Sequence, residues 1–401
     1  MLSVADALAR VLADAKALPA ADTALVDAHG RVLARDVTAL RTQPPASMSA
    51  MDGYAVRATD VADVPTQLKV IGEVAAGRPF EKMVGPREAA RIFTGGVVPA
   101  GADTIVIQEH TTRSGDDVTV TRAAAAGRNI RVEGLDFRAG EVLLKHGHRL
   151  TARDLALAAA MNHPSLPVHR RPKLALLATG DELVPPGSTP GPGQIVYSNG
   201  FALMALACSE GADVIDLGIV PDRLDDTVAA VRKAREVKAD ILVTTGGASV
   251  GDYDLVQKAF GAEGMSLSFW KVAVRPGRPL MHGRLGDMQV LGLPGNPVSA
   301  FVCGLLFLVP LLRKLAGRTD INLQTESAWL GSSLPANDER ADYLRAALDV
   351  DPEGRLVATA FGTQDSSMIA TLSRANCLLI REPYAPAAEP GSACSVIRIP
   401  L

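Results

Sequence analysis

The chain has 401 residues, a net charge of −3, 47% apolar residues and only 4% aromatic residues. That length suggests roughly two to four domains, and the apolar share is enough for sizeable cores. A near-neutral charge balance and scarce aromatics argue against a nucleic-acid partner, which calls for a basic field and stacking platforms.

The four cysteines, Cys208, Cys303, Cys377 and Cys394, are far apart and form no C-x-x-C pair, so no zinc site is expected. Three lie in apolar-rich segments where a buried thiol is the simplest expectation, and a reducing cytoplasm fits them best. The apolar run 301–312 is short for a membrane span and contains Pro310. At the N-terminus, Leu2 to Leu18 carries Val4, Leu8, Val11 and Leu12 at helical spacing, with Asp6 and Asp14 between them. This predicts a packing helix, not a targeting segment.

Val37 to Thr42 reads as an extended arm that ends at Pro44-Pro45. The segment Ser49-Ala50-Met51-Asp52-Gly53-Tyr54 reads locally as an Asp-Gly turn before a strand. Residues 57–145 alternate short candidate strands with turn signals, for example Thr94-Gly95-Gly96 and Ser114-Gly115-Asp116-Asp117, which suggests a small inserted barrel or sandwich. Within it, Arg128, Arg131 and Asp136 form a charge cluster that, taken alone, is a solvated face. Thr151 and Asp154 have capping-box spacing ahead of an Ala-rich helix, which is expected to return and pack on the N-terminal helix.

From Pro172 the pattern becomes βα alternation. Strands are predicted over 173–178, 213–219, 240–243, 267–274 and 288–293, with helices over 199–210, 224–237, 253–260 and 297–315. Such alternation argues for a parallel sheet with helices on both faces. Three polar clusters follow directly on apolar strands: Thr179-Gly180-Asp181-Glu182, Thr244-Thr245-Gly246-Gly247 and Pro294-Gly295-Asn296-Pro297. Ligands of open α/β sheets sit beyond the carboxyl ends of the strands, so these clusters are expected to converge on one edge. The third is joined in chain order by a basic, proline-stiffened turn carrying Lys271, Arg275 and Arg278, suited to an oxyanion. At the second, Ser249, Asp252 and Asp254 lead into a helix, so backbone N–H groups and carboxylates adjoin; a magnesium ion would reconcile anion and acids. After about residue 320 the chain reads as a small β domain, with a hairpin over 341–359 turning at Asp351-Pro352-Glu353-Gly354.

The order and spacing of Ser49-Ala50-Met51-Asp52-Gly53-Tyr54-Ala55-Val56, Ile92-Phe93-Thr94-Gly95, Thr179-Gly180-Asp181-Glu182-Leu183, Gly246-Gly247-Ala248-Ser249-Val250-Gly251 and Leu293-Pro294-Gly295-Asn296-Pro297 resemble the MoeA family. That family is also seen in the E domain of gephyrin and in plants. The resemblance covers nearly the whole chain. It implies a multidomain α/β plus β protein: a discontinuous N-terminal domain (1–45 and 141–171), a β-rich insertion (46–140), a doubly wound, MogA-like α/β domain (172–319) and a C-terminal β domain (320–401).

It further implies a cytoplasmic homodimer that inserts molybdenum, from molybdate, into adenylylated molybdopterin and releases AMP with the help of Mg2+. The adenylyltransferase and apo-molybdoenzymes would be its partners, with no role for nucleic acid or membrane. By match to the family pocket, Arg275, Arg278, Pro279, Ser299, Arg345 and Ser366 would line the molybdate site. Gly246, Gly247 and Ser249 would cradle phosphate or adenylate, with Gly295 and Asn296 close by. Thr94 joins the substrate-binding set, Glu182, Asp222 and Asp254 are the metal candidates, and Asp52 and Asp136 would act across the dimer with Glu182 and Asp254. Two departures stand out: Leu135 where the family usually has Glu, and Arg275 and Arg278 where several relatives have Lys. The competing readings are the adenylyltransferase itself, which resembles 172–315 alone, and a non-catalytic pterin-binding scaffold.

Overall fold

A computed structural model of the chain describes residues 1–78, 80–246 and 253–399, with backbone only for 253–255. The α/β domain is a six-stranded sheet in the order Asp213–Val220, Lys173–Thr179, Ile241–Thr245, Met288–Leu293, Met281–Leu285, Ser266–Trp270. The first four strands run parallel; Met281–Leu285 pairs antiparallel with both of its neighbours, so Ser266–Trp270 again runs in the direction of the first four. The three central strands are buried along almost their whole length, as expected for a sheet covered on both faces.

The strand expected over 267–274 stops at Trp270, because Lys271 takes a positive φ of 97° that extended backbone cannot continue through. Val274–Arg275 then pairs with Ala341–Val350 in the C-terminal sheet. That sheet closes on itself through pairing of Ala341–Val350 with both Leu356–Ala360 and Cys377–Arg381, forming a β-barrel. The 351–354 turn connects the expected hairpin.

The inserted domain is a six-stranded sheet in the order Thr104–Ile107, Gly53–Val56, Glu88–Ile92, Thr66–Val74, Asp117–Val120, Thr111–Ser114. Short antiparallel pairs, Ala20–Ala24 with Ser165–His169 and Val37–Thr38 with Val142–Leu144, tie the chain before the insertion to the chain after it. Thr151 and Asp154 form the capping box, the Thr151 N–H donating to Asp154 Oδ2 at 2.7 Å.

The N-terminal helix is placed differently from the expectation. Val4–Ala13 does not pack on Ala152–Ala160. Its buried face, Ala7 and Val11, belongs to the core of the α/β domain with Leu311, Leu312 and Leu315, whereas Ala158 and Met161 pack with Leu33, Val37 and Phe137. Leu2 fixes the docking, since its carbonyl accepts from the Ala273 N–H at 2.8 Å. The hydrophobic spacing specified the buried stripe but not the surface that receives it.

The helical stretch Pro297–Leu315 has 19 residues and is long and apolar enough to cross a membrane on those criteria. Its apolar window is 83% buried inside the molecule, so the apolar surface is core. A π segment, Gly304–Leu308, leads into Pro310, whose missing N–H and ring interrupt regular α geometry. Cys303 and Cys377 are buried as expected, Cys394 is half-buried, and Cys208 is exposed on Asn199–Ser209.

Candidate functional site

The parallel strands Lys173–Thr179, Ile241–Thr245 and Met288–Leu293 are neighbours in the sheet, so their carboxyl ends bring three loop tips side by side. The tips approach very closely. A Cβ on Gly246, whose φ is +89°, would lie 2.2 Å from the Thr179 carbonyl oxygen, so only glycine fits this turn. A Cβ on Gly180 would meet the Glu182 carboxylate at 2.6 Å, so glycine also leaves room for that side chain to fold back over the loop. Asn199 Nδ2 donates to the Gly295 carbonyl at 2.6 Å and locks the third tip to the start of a neighbouring helix.

The result is a cavity of about 390 Å³ lined by Thr179, Glu182, Tyr197, Gly246, Gly295 and Asn296, among others. Ser367 and Ile369 of the C-terminal domain complete its wall. That segment is held in place by two bonds: Asn296 Nδ2 donates to Ser366 Oγ at 2.8 Å, and the Val298 N–H donates to the Ser366 carbonyl at 3.0 Å. The helix beginning at Pro297 therefore points its positive end at the cavity rim. Burial pushes the Tyr197 phenol up to about 12, so it stays protonated. Tyr197 and Asn199 were missed by sequence reasoning; their signal was only a Tyr-Ser-Asn run ahead of a helix.

The expected cations are not gathered in this cavity. Arg275 lines a second cavity of about 610 Å³ between the basic turn and the barrel, with Asp342, Asn337, Gln364, Phe361 and Arg381. Its guanidinium is already engaged: Nε donates to Asp342 Oδ1 at 2.7 Å, Nη2 to Asp342 Oδ2, and Nη1 to Asp338 at 3.2 Å. The Asp342 carboxylate raises the Arg275 pKa further. Arg345 is 1% exposed. It donates to Gln364 Oε1 at 3.2 Å and to the Asp365 carbonyl at 2.8 Å, so it props up the 364–369 segment that separates the two cavities. Both arginines thus depart from the expected role of lining one oxyanion pocket. Ion pairs formed across 67 residues of sequence, such as Arg275 with Asp342, leave no local signal.

Arg278 is exposed, with no side-chain hydrogen bond or ion pair among the described residues, and Pro279 is half-buried beside it. Ser299 is 4% exposed, on the first turn of its helix. Its carbonyl lies 3.6 Å from a Cβ built on Gly277, which places it beneath the basic turn. Asp222 does not line the 390 Å³ cavity, and its N–H donates to Asp181 Oδ1 at 3.2 Å. Gly247 and Ser249 lie outside the described residues, as does the side chain of Asp254.

Asp52 and Thr94 come together on the inserted sheet. The Thr94 N–H and hydroxyl both donate to Asp52 Oδ1 at 2.8 Å, and the Thr94 backbone bond is the main reason the carboxyl is held below its ordinary range. Arg91, stacked against Tyr54 and Phe93, donates to the Gly53 carbonyl and to Gln108 and adds a smaller push in the same direction. Asp136 is exposed, its N–H bonded to the Gln43 carbonyl at 3.0 Å, and Leu135 beside it is also exposed.

Among the described residues no three acids, histidines or cysteines group as a metal cage. Glu182 is the carboxylate on the described lining of the 390 Å³ cavity. Such a donor set fits magnesium held largely by phosphate oxygens and water, since that ion takes only one or two carboxylates in phosphate sites.

A doubly wound α/β domain whose loop tips are closed by a β-barrel segment defines a multidomain binding protein for a small polar ligand. Family models match the chain in sequence order: the MoeA N-terminal region (domain I and II) over residues 2–162, a probable molybdopterin binding domain over 175–314, and the MoeA C-terminal region (domain IV) over 327–399. Molybdopterin molybdenumtransferase of Bacillus subtilis is 36% identical over 385 residues, covering 94% of this chain and 89% of its own length. The Haemophilus influenzae protein of the same name is 34% identical, covering 89% and 88%. The crystal structure of the molybdopterin biosynthesis MoeA protein of Pyrococcus horikoshii OT3 superposes with a TM-score of 0.85 at 28% identity, covering 100% of both chains. The chain belongs to the MoeA family.

Proposed function

We propose that this enzyme inserts molybdenum into molybdopterin during molybdenum cofactor biosynthesis, taking molybdate and an adenylylated pterin and releasing AMP. The observation that carries the reading is the convergence of Glu182, Gly246, Gly295 and Asn296 on one cavity whose far wall comes from the C-terminal barrel. Its family relatives carry the name of this activity.

In this reading Gly246, with Gly247 and Ser249 beyond it, lets backbone N–H groups approach a phosphate, and the helix starting at Pro297 adds its positive end. Arg278, exposed on the neighbouring turn, and Ser299 beneath that turn would serve the oxyanion, and Ser366 fixes Asn296. Glu182, with Asp222 and Asp254 as further candidates, would hold magnesium, which when bound neutralises the phosphate charge. Glu182 also orients water at that rim. Asp52, Thr94 and Asp136 lie on elements outside the cavity, which supports a homodimer in which a second copy brings them to it. The four free thiols support a reducing cytoplasm, and the chemistry of the substrate requires an adenylyltransferase upstream and apo-molybdoenzymes downstream.

The test is molybdate-dependent AMP release from adenylylated molybdopterin by the purified chain and by its Glu182→Ala and Asp52→Ala variants. Loss of release in both folded variants is expected. Consumption of ATP with free molybdopterin would instead show the adenylyltransferase, and undiminished release in both variants would remove the mechanism.

A further inference from the structure

The inserted domain has a cavity of its own, of about 390 Å³, that the reading above does not use. Its floor is the edge strand Thr104–Ile107 and its outer wall is the 122–129 arm. The arm is pinned at both ends. The Thr121 N–H donates to the His110 carbonyl at 2.9 Å, and at the other end Thr104 Oγ1 donates to the Ala125 carbonyl at 2.8 Å. The Gly127 N–H donates to the Asp103 carbonyl at 2.7 Å, and Asn129 Nδ2 to the Ile105 carbonyl at 2.9 Å. The gap between these ties is therefore held open by two backbone and two side-chain-to-backbone bonds within the chain and does not depend on a ligand to form it.

Three basic side chains, His110, Arg122 and Arg128, line this cavity, and among the described residues no acidic one does. Arg122 Nη1 lies 3.4 Å from His110 Nε2. A guanidinium only donates, so in this contact the imidazole nitrogen can serve only as acceptor. Arg128 is exposed with no side-chain hydrogen bond or ion pair among the described residues. Elsewhere in the chain, arginines such as Arg275, Arg313, Arg318 and Arg355 are paired with carboxylates. Two uncompensated guanidinium groups facing one preformed gap are the usual recognition chemistry of phosphate.

We infer that this cavity binds a phosphate monoester, with the dianion between Arg122 and Arg128 and the organic group against Met51 and Ala123–Ala125. The volume exceeds what a bare phosphate needs, and a chain of net charge −3 does not suit a nucleic-acid backbone. Its wall is continuous with the Asp52 loop: Met51 lines the cavity, and the Ala50 N–H donates to the Asn129 carbonyl at 2.9 Å. A ligand here would touch the face that carries Asp52, whatever reaction that face serves.

The test is calorimetric titration of the full chain with ribose 5-phosphate, inorganic phosphate and ribose, paired with hydrogen exchange to locate the site. Ribose 5-phosphate should bind more tightly than inorganic phosphate, ribose should not bind, and amides of residues 122–129 should gain protection. The double variant R122Q/R128Q should lose about tenfold or more in affinity, and R122K/R128K should retain most of it. Both arginines are exposed, so an unchanged melting temperature is expected in either variant. Unchanged affinity in R122Q/R128Q, protection confined to other segments, or equal affinity for inorganic phosphate would overturn the assignment. None of these readouts uses turnover, so they stand apart from the test of the insertion reaction.

Discussion

Replacing Arg345 with methionine asks whether this arginine holds the protein together or holds the substrate. Its guanidinium makes two sound bonds, to Gln364 Oε1 at 3.2 Å and to the Asp365 carbonyl at 2.8 Å, and a long one to the Met368 carbonyl at 3.4 Å. Hydrogen bonds from a charged group contribute about 1.5–3 kcal/mol each, so the two sound ones suggest about 3–6 kcal/mol. Part of that is offset, because burial of this cation is itself costly, as the lowering of its pKa by desolvation shows, and an apolar replacement removes that cost. The expected net loss is about 2–4 kcal/mol. It should appear as a lower denaturant midpoint and as faster exchange of the Val298 amide, whose acceptor is the Ser366 carbonyl on the propped segment. Losses below about 1 kcal/mol accompanied by lost molybdate affinity would refute the reasoning and make Arg345 a direct ligand.

Four further outcomes are expected. Gly246→Ala should fail to fold normally or lose several-fold activity, because its Cβ would strike the Thr179 carbonyl oxygen at 2.2 Å; a normal melting curve with full turnover would contradict this. Thr94→Val removes the hydroxyl bond and keeps the backbone N–H bond that is the larger cause of the depression, so the Asp52 carboxyl should move only part of the way up toward its ordinary range, read by carbon NMR titration. Asp338 is held down to about 2, mainly by Arg340, so its stabilising contribution is present above its ordinary value of 3.8 and is lost as pH falls toward 2. Asp338→Asn should flatten that part of an acid-denaturation profile. A thiol reagent should label exposed Cys208 quickly in the folded protein and leave Cys303, pushed up to about 12 by burial, unmodified until unfolding.

The central sheet was readable because its strands are continuous apolar runs, Leu174–Ala178 and Ile241–Val243, that end in glycine-bearing polar clusters. Parallel neighbours then fix where those clusters meet, and the cavity followed from chain order. Met281–Leu285 was missed since His282, Gly283 and Arg284 give it neither an apolar run nor alternation. Thr325–Leu330 was missed for a similar reason, with Thr, Glu and Ser at its start. The basic turn was legible as charge but not as commitment. Nothing local to Arg275 announces that Asp338 and Asp342, on the barrel, neutralise it, nor that Arg345 is buried.

The docking of Val4–Ala13 against Val309–Leu315 has a consequence for biosynthesis. The first helix leaves the ribosome almost 300 residues before its receiving surface, so during translation it must wait with its apolar stripe uncovered or shielded by a chaperone. Conversely, the α/β segment expressed alone from residue 172 to 319 should exit with an open groove and be prone to clumping. Supplying residues 1–18 as a separate peptide should restore its solubility, and failure of that rescue would show that the groove closes without its native plug.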